Sequence, residues 1–218
     1  MILITSNRGL CGAYNAQAIK KALALIKQEN NNAEIHLVTI GKKGDVAMRR
    51  IGQNVLANFF EMGDSVSTAL ITPISKLVVD EYNLLNYDKV LVVYTDFISA
   101  LTQKPNIKQL LPISKSDFKD FMKDLPNNKL QRKTDYLFEG NRDDLISTLA
   151  EKLTRMQIYQ MILESNASEQ SSRMVAMKNA SDASGEMIDD LTLVFNKARQ
   201  ANITREISEI SAGMTSVS

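Results

Sequence analysis

The sequence predicts an α/β fold: a Rossmann-like, mostly parallel sheet flanked by helices, followed by one very long C-terminal helix of the coiled-coil type. Two observations predict it. Short apolar runs alternate with amphipathic stretches up to residue 112, and strands that alternate with helices form parallel sheets with right-handed crossovers. From residue 141 to about residue 210 there is no proline and a single glycine, Gly185, so few residues in that segment oppose a helix.

The α/β domain is predicted to span residues 1–140, with short elements in regular alternation. Strands are predicted at 2–6, 35–40, 53–59 and 89–94, and helices at 14–29, 46–51 and 66–85. Pro73 either bends the last of these helices or marks its true start. Pro105 and Pro112 predict an irregular, extended edge at 97–112. The polar segment 114–133 is expected to be a mobile loop.

The second predicted domain, residues 141–218, carries a stripe at alternating steps of four and three residues. We call this stripe the seam; it consists of Leu149, Leu153, Met156, Gln160, Leu163, Ala167, Gln170, Met174, Met177, Ser181, Ser184, Ile188, Leu191, Phe195 and Ala198. A 3.5-residue repeat sustained over this length indicates a left-handed supercoil. Small residues in its middle would let a partner helix approach closely. The competing interpretation is a core helix of a bundle, but the preceding domain offers too little length to cover the seam.

Composition excludes several classes of function. Lys and Arg number 26 against 25 Asp and Glu, so there is no basic excess of the kind that nucleic-acid binders carry. The single cysteine, Cys11, allows no disulfide framework and no thiolate metal site. No apolar run is long enough to span a membrane.

The segment from Ser6 to Gly12 follows the first strand and precedes a helix, where a Rossmann fold holds phosphate. Only Gly9 and Gly12 match the glycine pattern, and the second strand ends without a ribose-binding acid. Cys11 has no histidine nearby in the sequence to activate it, since the only one is His36. A Rossmann-type nucleotide-binding enzyme with a helical dimerisation arm therefore stays only as the alternative.

Three blocks resemble the gamma subunit of ATP synthase: ITSNRGLCGAYN at 4–15, ASEQSSRMVAMKNA at 167–180 and NKARQANITREISEI at 196–210. Their order and spacing agree with the family over nearly the whole chain. The resemblance implies the central rotor shaft, which couples c-ring rotation to the conformational cycle of the catalytic beta subunits. It implies no catalytic residue, cofactor or metal in this chain. The implied partners are the alpha, beta and epsilon subunits and the c-ring, at the cytoplasmic face of the bacterial inner membrane.

The resemblance also implies roles for single residues. The positions that match contacts to the catch loop of beta are Arg199, Gln200, Thr204 and Glu206. Arg8 and Cys11 match the loop that faces the lower rim of beta. Tyr136 and Glu139 match the foot on the c-ring or epsilon, although Gly140 stands where the family commonly has proline.

The family pattern opens with a long helix that pairs antiparallel with the C-terminal one, whereas this sequence begins at the first strand. We therefore expect an uncovered seam, which either drives self-association of the isolated chain through residues 149–198 or leaves the helix mobile. A structural coiled-coil adaptor is the third hypothesis; it would share the seam without needing the Arg199 to Glu206 block.

Overall fold

The structure, a computed structural model, describes residues 1–29, 33–60, 67–113 and 142–215, with side chains in the last range described from 145 to 212. The strands are β1 (Ile2–Ile4), β2 (Leu37–Ile40), β3 (Val55–Phe59), β4 (Val90–Phe97) and β5 (Gln103–Leu111). The helices are α1 (Tyr14–Glu29), α2 (Lys42–Arg50), α3 (Thr68–Asn83) and α4 (Arg142–Thr215). The predicted loop at 114–133 lies outside the described residues.

The described strands form a single five-stranded sheet in the order β3-β2-β1-β4-β5. β1 pairs in parallel with β2 and with β4, and β2 pairs in parallel with β3. β5 returns antiparallel to β4 and closes one edge. This confirms the predicted fold class, a mostly parallel sheet followed by a long helix.

Helices cover both faces of the sheet. Alternate residues of a strand point to opposite faces, and β1 divides accordingly, with Ile2 and Ile4 in one apolar cluster and Leu3 in the other. The cluster around Ile2 includes residues of α3 and of the first part of α4. The cluster around Leu3 includes residues of α1 and α2. The first part of α4 is therefore a layer of the α/β fold.

Helix α2 begins at Lys42, before the predicted start at residue 46. Its first three N–H groups donate to the segment after β1, in the pairs Lys42 to Asn7 Oδ1 (3.0 Å), Lys43 to Ser6 O (3.1 Å) and Gly44 to Thr5 Oγ1 (2.9 Å). Gly41 precedes the helix with φ of 95°, and a Cβ there would lie 2.1 Å from Thr5 O. A distant segment thus caps a polar turn that has no apolar periodicity of its own.

The extended edge predicted at 97–112 contains the antiparallel strand β5, and its pairing with β4 has one irregularity, a register shift between Val90 and Leu91. Pro105 lies within β5 opposite Thr95, and because β5 is an edge strand the missing N–H leaves no neighbouring ladder broken. Pro73 lies inside α3, which begins at Thr68 with the Ser67 hydroxyl accepting the N–H of Ala69 at 3.3 Å. Pro73 therefore does not mark the start of that helix.

Helix α4 comprises 74 residues. By contacts the chain divides into two compact units, Met1–Arg173 and Met174–Ser218; the division predicted at residue 140 remains a prediction from sequence pattern. Within the first unit, the stripe of α4 that packs on the sheet is Thr154, Ile158, Met161, Ser165 and Ser168, all buried. The seam runs on a different face of the same helix. Of its members in the first unit, Leu153 alone is buried.

Candidate functional site

The loop after β1 is held together by its own polar side chains. The N–H of Ser6 donates to Asn15 Oδ1 at 3.0 Å. The Asn15 amide in turn donates to Ser6 Oγ at 2.6 Å and to Cys11 Sγ at 3.1 Å. The Ser6 hydroxyl closes the loop by donating to the carbonyl of Arg8 at 2.5 Å. These residues of the first block thus fix the shape of the loop.

Asn7 fastens the same loop to the neighbouring part of the sheet. Its amide nitrogen donates to the carbonyl of Phe60 at 2.8 Å, and its amide oxygen accepts the N–H of Lys42 at 3.0 Å. Every N–H of the first turn of α2 named above therefore already has an acceptor. A phosphate group that bound to this helix start would have to displace those bonds.

The loop displays two side chains and hides a third. Arg8 is exposed, and Leu10 is 74% exposed with a positive φ of 63°. Cys11 is 2% exposed, so its thiol faces the loop interior. Leu10 was not among the predicted contacts. A large apolar residue between two glycines at a loop tip was the available signal, but exposure depends on the folded loop.

A second exposed apolar group lies at the same edge of the sheet. β1 and β4 are parallel, so their carboxyl ends meet at one edge. The turn after β4 exposes Ile98 and Leu101, and Phe97 at the strand end is partly exposed. No sequence pattern indicated this group, because an apolar run that follows a buried strand is equally compatible with burial.

In the second unit, the four residues predicted to meet the catch loop of beta are all exposed; they are Arg199, Gln200, Thr204 and Glu206. On an α-helix, steps of four and three return to one face. Arg199, Ile203, Glu206 and Ile210 therefore share a face, and both isoleucines are exposed. The face that carries Arg199 and Glu206 therefore also presents two apolar side chains, which the prediction had not included.

Further predicted site residues fall outside the described part of the chain. Tyr136 and Glu139 lie in the range 114–141, which the structure does not describe. Among the residues it does describe, no group of three or more His, Cys, Asp or Glu side chains is arranged to hold a metal ion. Nor does any described helix have the length and apolarity needed to cross a membrane.

Comparison with known proteins decides the family. A family profile described as ATP synthase matches residues 1–217. The ATP synthase gamma chain of Coxiella burnetii is 39% identical over 218 residues, covering 99% of this chain and 72% of the relative. That of Legionella pneumophila is 35% identical over 214 residues, covering 98% and 72%. The chain belongs to the ATP synthase gamma chain family.

Solved structures agree. A chain of the Euglena gracilis mitochondrial ATP synthase (OSCP/F1/c-ring, rotational state 3) matches with a TM-score of 0.70 at 22% identity, covering 99% of this chain and 71% of that one. At that identity the likeness shows the fold. A chain of the Tetrahymena thermophila mitochondrial ATP synthase central stalk and c-ring matches with a TM-score of 0.62 at 26% identity, covering 83% and 75%. The resemblance found in the sequence is confirmed, and with it a central-stalk role.

Proposed function

We propose that α4 is the part of the central stalk that couples c-ring rotation to the conformational cycle of the catalytic beta subunits, and that the chain itself carries no catalytic residue. The observation that carries the proposal is a 74-residue helix whose seam stays exposed beyond Met174 while its first part is packed on the sheet. Such a helix has a surplus apolar stripe that other polypeptide would cover.

Coupling needs a difference in interaction energy. A shaft can bias a catalytic subunit only as far as it binds one conformation of that subunit better than another. The face formed by Arg199, Ile203, Glu206 and Ile210 combines two opposite charges with two apolar side chains. Its neighbours Gln200 and Thr204 add hydrogen-bonding groups. We assign to this group the contacts with the catch loop of beta, made in one rotary position and broken in the next.

The loop after β1 supplies a second contact in the proposal. Arg8, with the exposed Leu10, faces the lower rim of beta. Cys11 contributes by shaping the loop, because its buried thiol accepts a hydrogen bond from Asn15. Tyr136 and Glu139 remain proposed as the foot on the c-ring or epsilon. The chain would then be peripheral, at the cytoplasmic face of a bacterial inner membrane.

Arg199→Ala in the assembled complex tests the catch-loop assignment. Losing a charge-assisted bond that forms in one rotary state lowers ATP-driven proton pumping roughly five-fold or more, measured in vesicles. Arg205→Ala is the matched control, since Arg205 lies on a different face, where its guanidinium is 3.8 Å from Glu209. Equal losses in both variants would reject the assignment.

The nucleotide-binding enzyme is disfavoured because the helix start beside the loop is already capped by Asn7, Ser6 and Thr5. Titration of the chain with adenine nucleotides and dinucleotides separates the two functions. A shaft shows no saturable binding, whereas a stoichiometric site would overturn the proposal in favour of the alternative.

A further inference from the structure

Strand β4 continues past its neighbour β1. β1 has three residues and pairs with β4 at Val92 and Val93, whereas β4 runs on to Phe97. The N–H and C=O of one strand residue point to the same side, and those of Thr95 point away from β5, to the side on which β1 has ended. The main-chain N–H and C=O of Thr95 are therefore left without a strand partner in the buried part of the sheet. Buried main-chain groups without hydrogen-bond partners destabilise the folded state.

Helix α4 supplies the missing partners. The N–H of Thr95 donates to Ser165 Oγ at 3.1 Å, and the Ser168 hydroxyl donates to the carbonyl of Thr95 at 3.2 Å. Both serines are 1% exposed or less. One turn further, the Ser172 hydroxyl donates to Gln103 Oε1 at 3.0 Å. We call Ser165, Ser168 and Ser172 the serine clamp.

Further polar groups surround the clamp. Tyr14, the first residue of α1, is buried, and Ser165 and Glu169 of α4 are among the groups that influence the pKa of its hydroxyl. The negative charge of Glu169 on α4 raises the pKa of Tyr14. The Glu169 carboxylate also forms an ion pair with Arg173 at 2.6 Å. The start of α1, the end of β4 and helix α4 therefore meet at one polar cluster, directly after the loop that displays Arg8.

The remaining contacts of α4 with the sheet are apolar, made by residues such as Ile158, Met161 and Ile162. Apolar contacts are non-directional, so they resist separation of helix and sheet better than sliding. Hydrogen bonds to the main-chain N–H and C=O of Thr95 are directional. A slip by one turn, about 5.4 Å, in one direction would bring Met161 opposite the N–H of Thr95 and leave that group unbonded.

We infer that the serine clamp is a mechanical joint: it fixes the axial register of α4 on the sheet and passes turning force between them. Ser165, Ser168 and Ser172 are thus positioning residues. The inference rests on the proposed shaft function for its purpose, but the fixed register is a property of the chain alone. The fixed register and the transmission of force can therefore be tested separately.

Spin labels at Lys76→Cys on α3 and Met156→Cys on α4 report the register, because both positions are exposed while Cys11 is buried. We expect one narrow distance distribution in the otherwise unchanged chain. Each lost bond shifts the ratio of native to slipped register about five- to thirty-fold. Ser165→Ala with Ser168→Ala should therefore add a second distance, displaced by roughly one turn.

Ser171→Ala, on the same helix but outside the clamp, should keep the single distance. If the double variant does not fold, Ser172→Ala alone is the test, with a broadened distribution expected. A single unchanged distance in every folded clamp variant would overturn the inference.

In the assembled complex the clamp variant should pump fewer protons per ATP hydrolysed, while Ser171→Ala keeps the original ratio. An altered distance without a change in that ratio would reject the force-transmitting role. If the unaltered chain supports no ATP-driven pumping, the proposed function fails while the distance result stands on its own.

Discussion

The two parts of α4 differ in what their side chains contact. Between residues 153 and 168, buried and exposed positions alternate with helical spacing, and the buried ones pack on the sheet. From residue 177 to residue 212, every described side chain is exposed, including Ile188, Leu191 and Phe195. Both parts repeat apolar residues at steps of three and four. Periodicity therefore predicts the helix in both parts but does not tell which surface covers it.

The two parts of α4 also differ in what their serine side chains bond to. In the first part, Ser165 and Ser168 of α4 bond to the main-chain N–H and C=O of the buried Thr95 in β4. In the second part, serine hydroxyls donate to the helix itself, as from Ser184 to the carbonyl of Ala180 at 2.7 Å and from Ser208 to that of Thr204 at 2.8 Å. Serine thus joins the helix to the sheet in the first part. In the second part its small side chain keeps the helix narrow.

Core truncation should show the largest contrast between the two parts. Ile158 is 1% exposed within the sheet cluster, so Ile158→Ala should destabilise the chain by about 2–5 kcal/mol. The matched change Ile188→Ala, at an exposed site, should stay within about 0.5 kcal/mol. Urea unfolding measures both; similar losses would show that residue 188 is covered in the isolated chain.

Alanine substitutions at two glycines should change the stability of the chain in opposite directions. Gly41→Ala would place a Cβ 2.1 Å from Thr5 O at a positive φ, and should cost roughly 1–3 kcal/mol. Gly185 lies in the second part of α4 with nothing near its Cβ position, so Gly185→Ala should stabilise the helix by about 0.5–1 kcal/mol. Thermal unfolding followed by circular dichroism tests both. A stabilising Gly41→Ala would contradict the close approach.

Self-association through residues 149–198 tests whether the exposed seam is adhesive. We expect the sedimentation coefficient of the isolated chain to rise with concentration. Replacing Ile188, Leu191 and Phe195 together by Gln should abolish the rise, because the apolar stripe is removed while helix propensity is kept within a few tenths of a kcal/mol per residue. Replacing the exposed polar residues Lys178, Asn179 and Asp182 by Gln is the control. A monomer at all concentrations would reject self-association.

The smallest expected effect concerns alkaline pH and the first unit alone. Burial raises the pKa of Tyr14, with Glu169 adding to the shift. The folded chain therefore keeps a proton that the unfolded chain loses above about pH 10, and stability falls as pH rises beyond that point. Tyr14→Phe should reduce the slope by at most about 1.4 kcal/mol per pH unit, measured by urea unfolding between pH 9 and 11.

Burial raises the pKa of Tyr94 as well, so part of the slope should persist in the Tyr14→Phe chain. Tyr82→Phe serves as the control. An unchanged slope in the Tyr14→Phe chain would mean that Tyr14 is not enclosed.

Much of the fold could be predicted from local pattern, and the exceptions share a cause. The bounds of α1 were predicted correctly because its apolar residues keep helical spacing and its buried face is continuous. The start of α2 was missed because its first turn is polar and is capped from Thr5, Ser6 and Asn7, far away in sequence. Contacts between distant segments leave no local periodicity.

The candidate site residues likewise comprise features that the sequence predicted and features that depend on contacts between distant segments. The sequence blocks identified the family and the positions of Arg8, Arg199 and Glu206 on the chain. The exposure of Leu10 and Ile203 and the burial of Cys11 became known only with the folded structure. Exposure depends on which other segments pack nearby, so residue type alone does not determine it.

By itself the sequence determined that this protein is an α/β sheet domain followed by a long helix with a 3.5-residue seam, because helix period and strand alternation are local properties. Only the tertiary structure decided which face of that helix meets the sheet. That face brings Ile158 and Met161 onto the sheet and places Ser165 and Ser168 beside Thr95, whose main-chain groups lack a strand partner where β1 ends. These two main-chain groups are left unpaired only once the strands have paired, and Ser165 and Ser168 then bond to them.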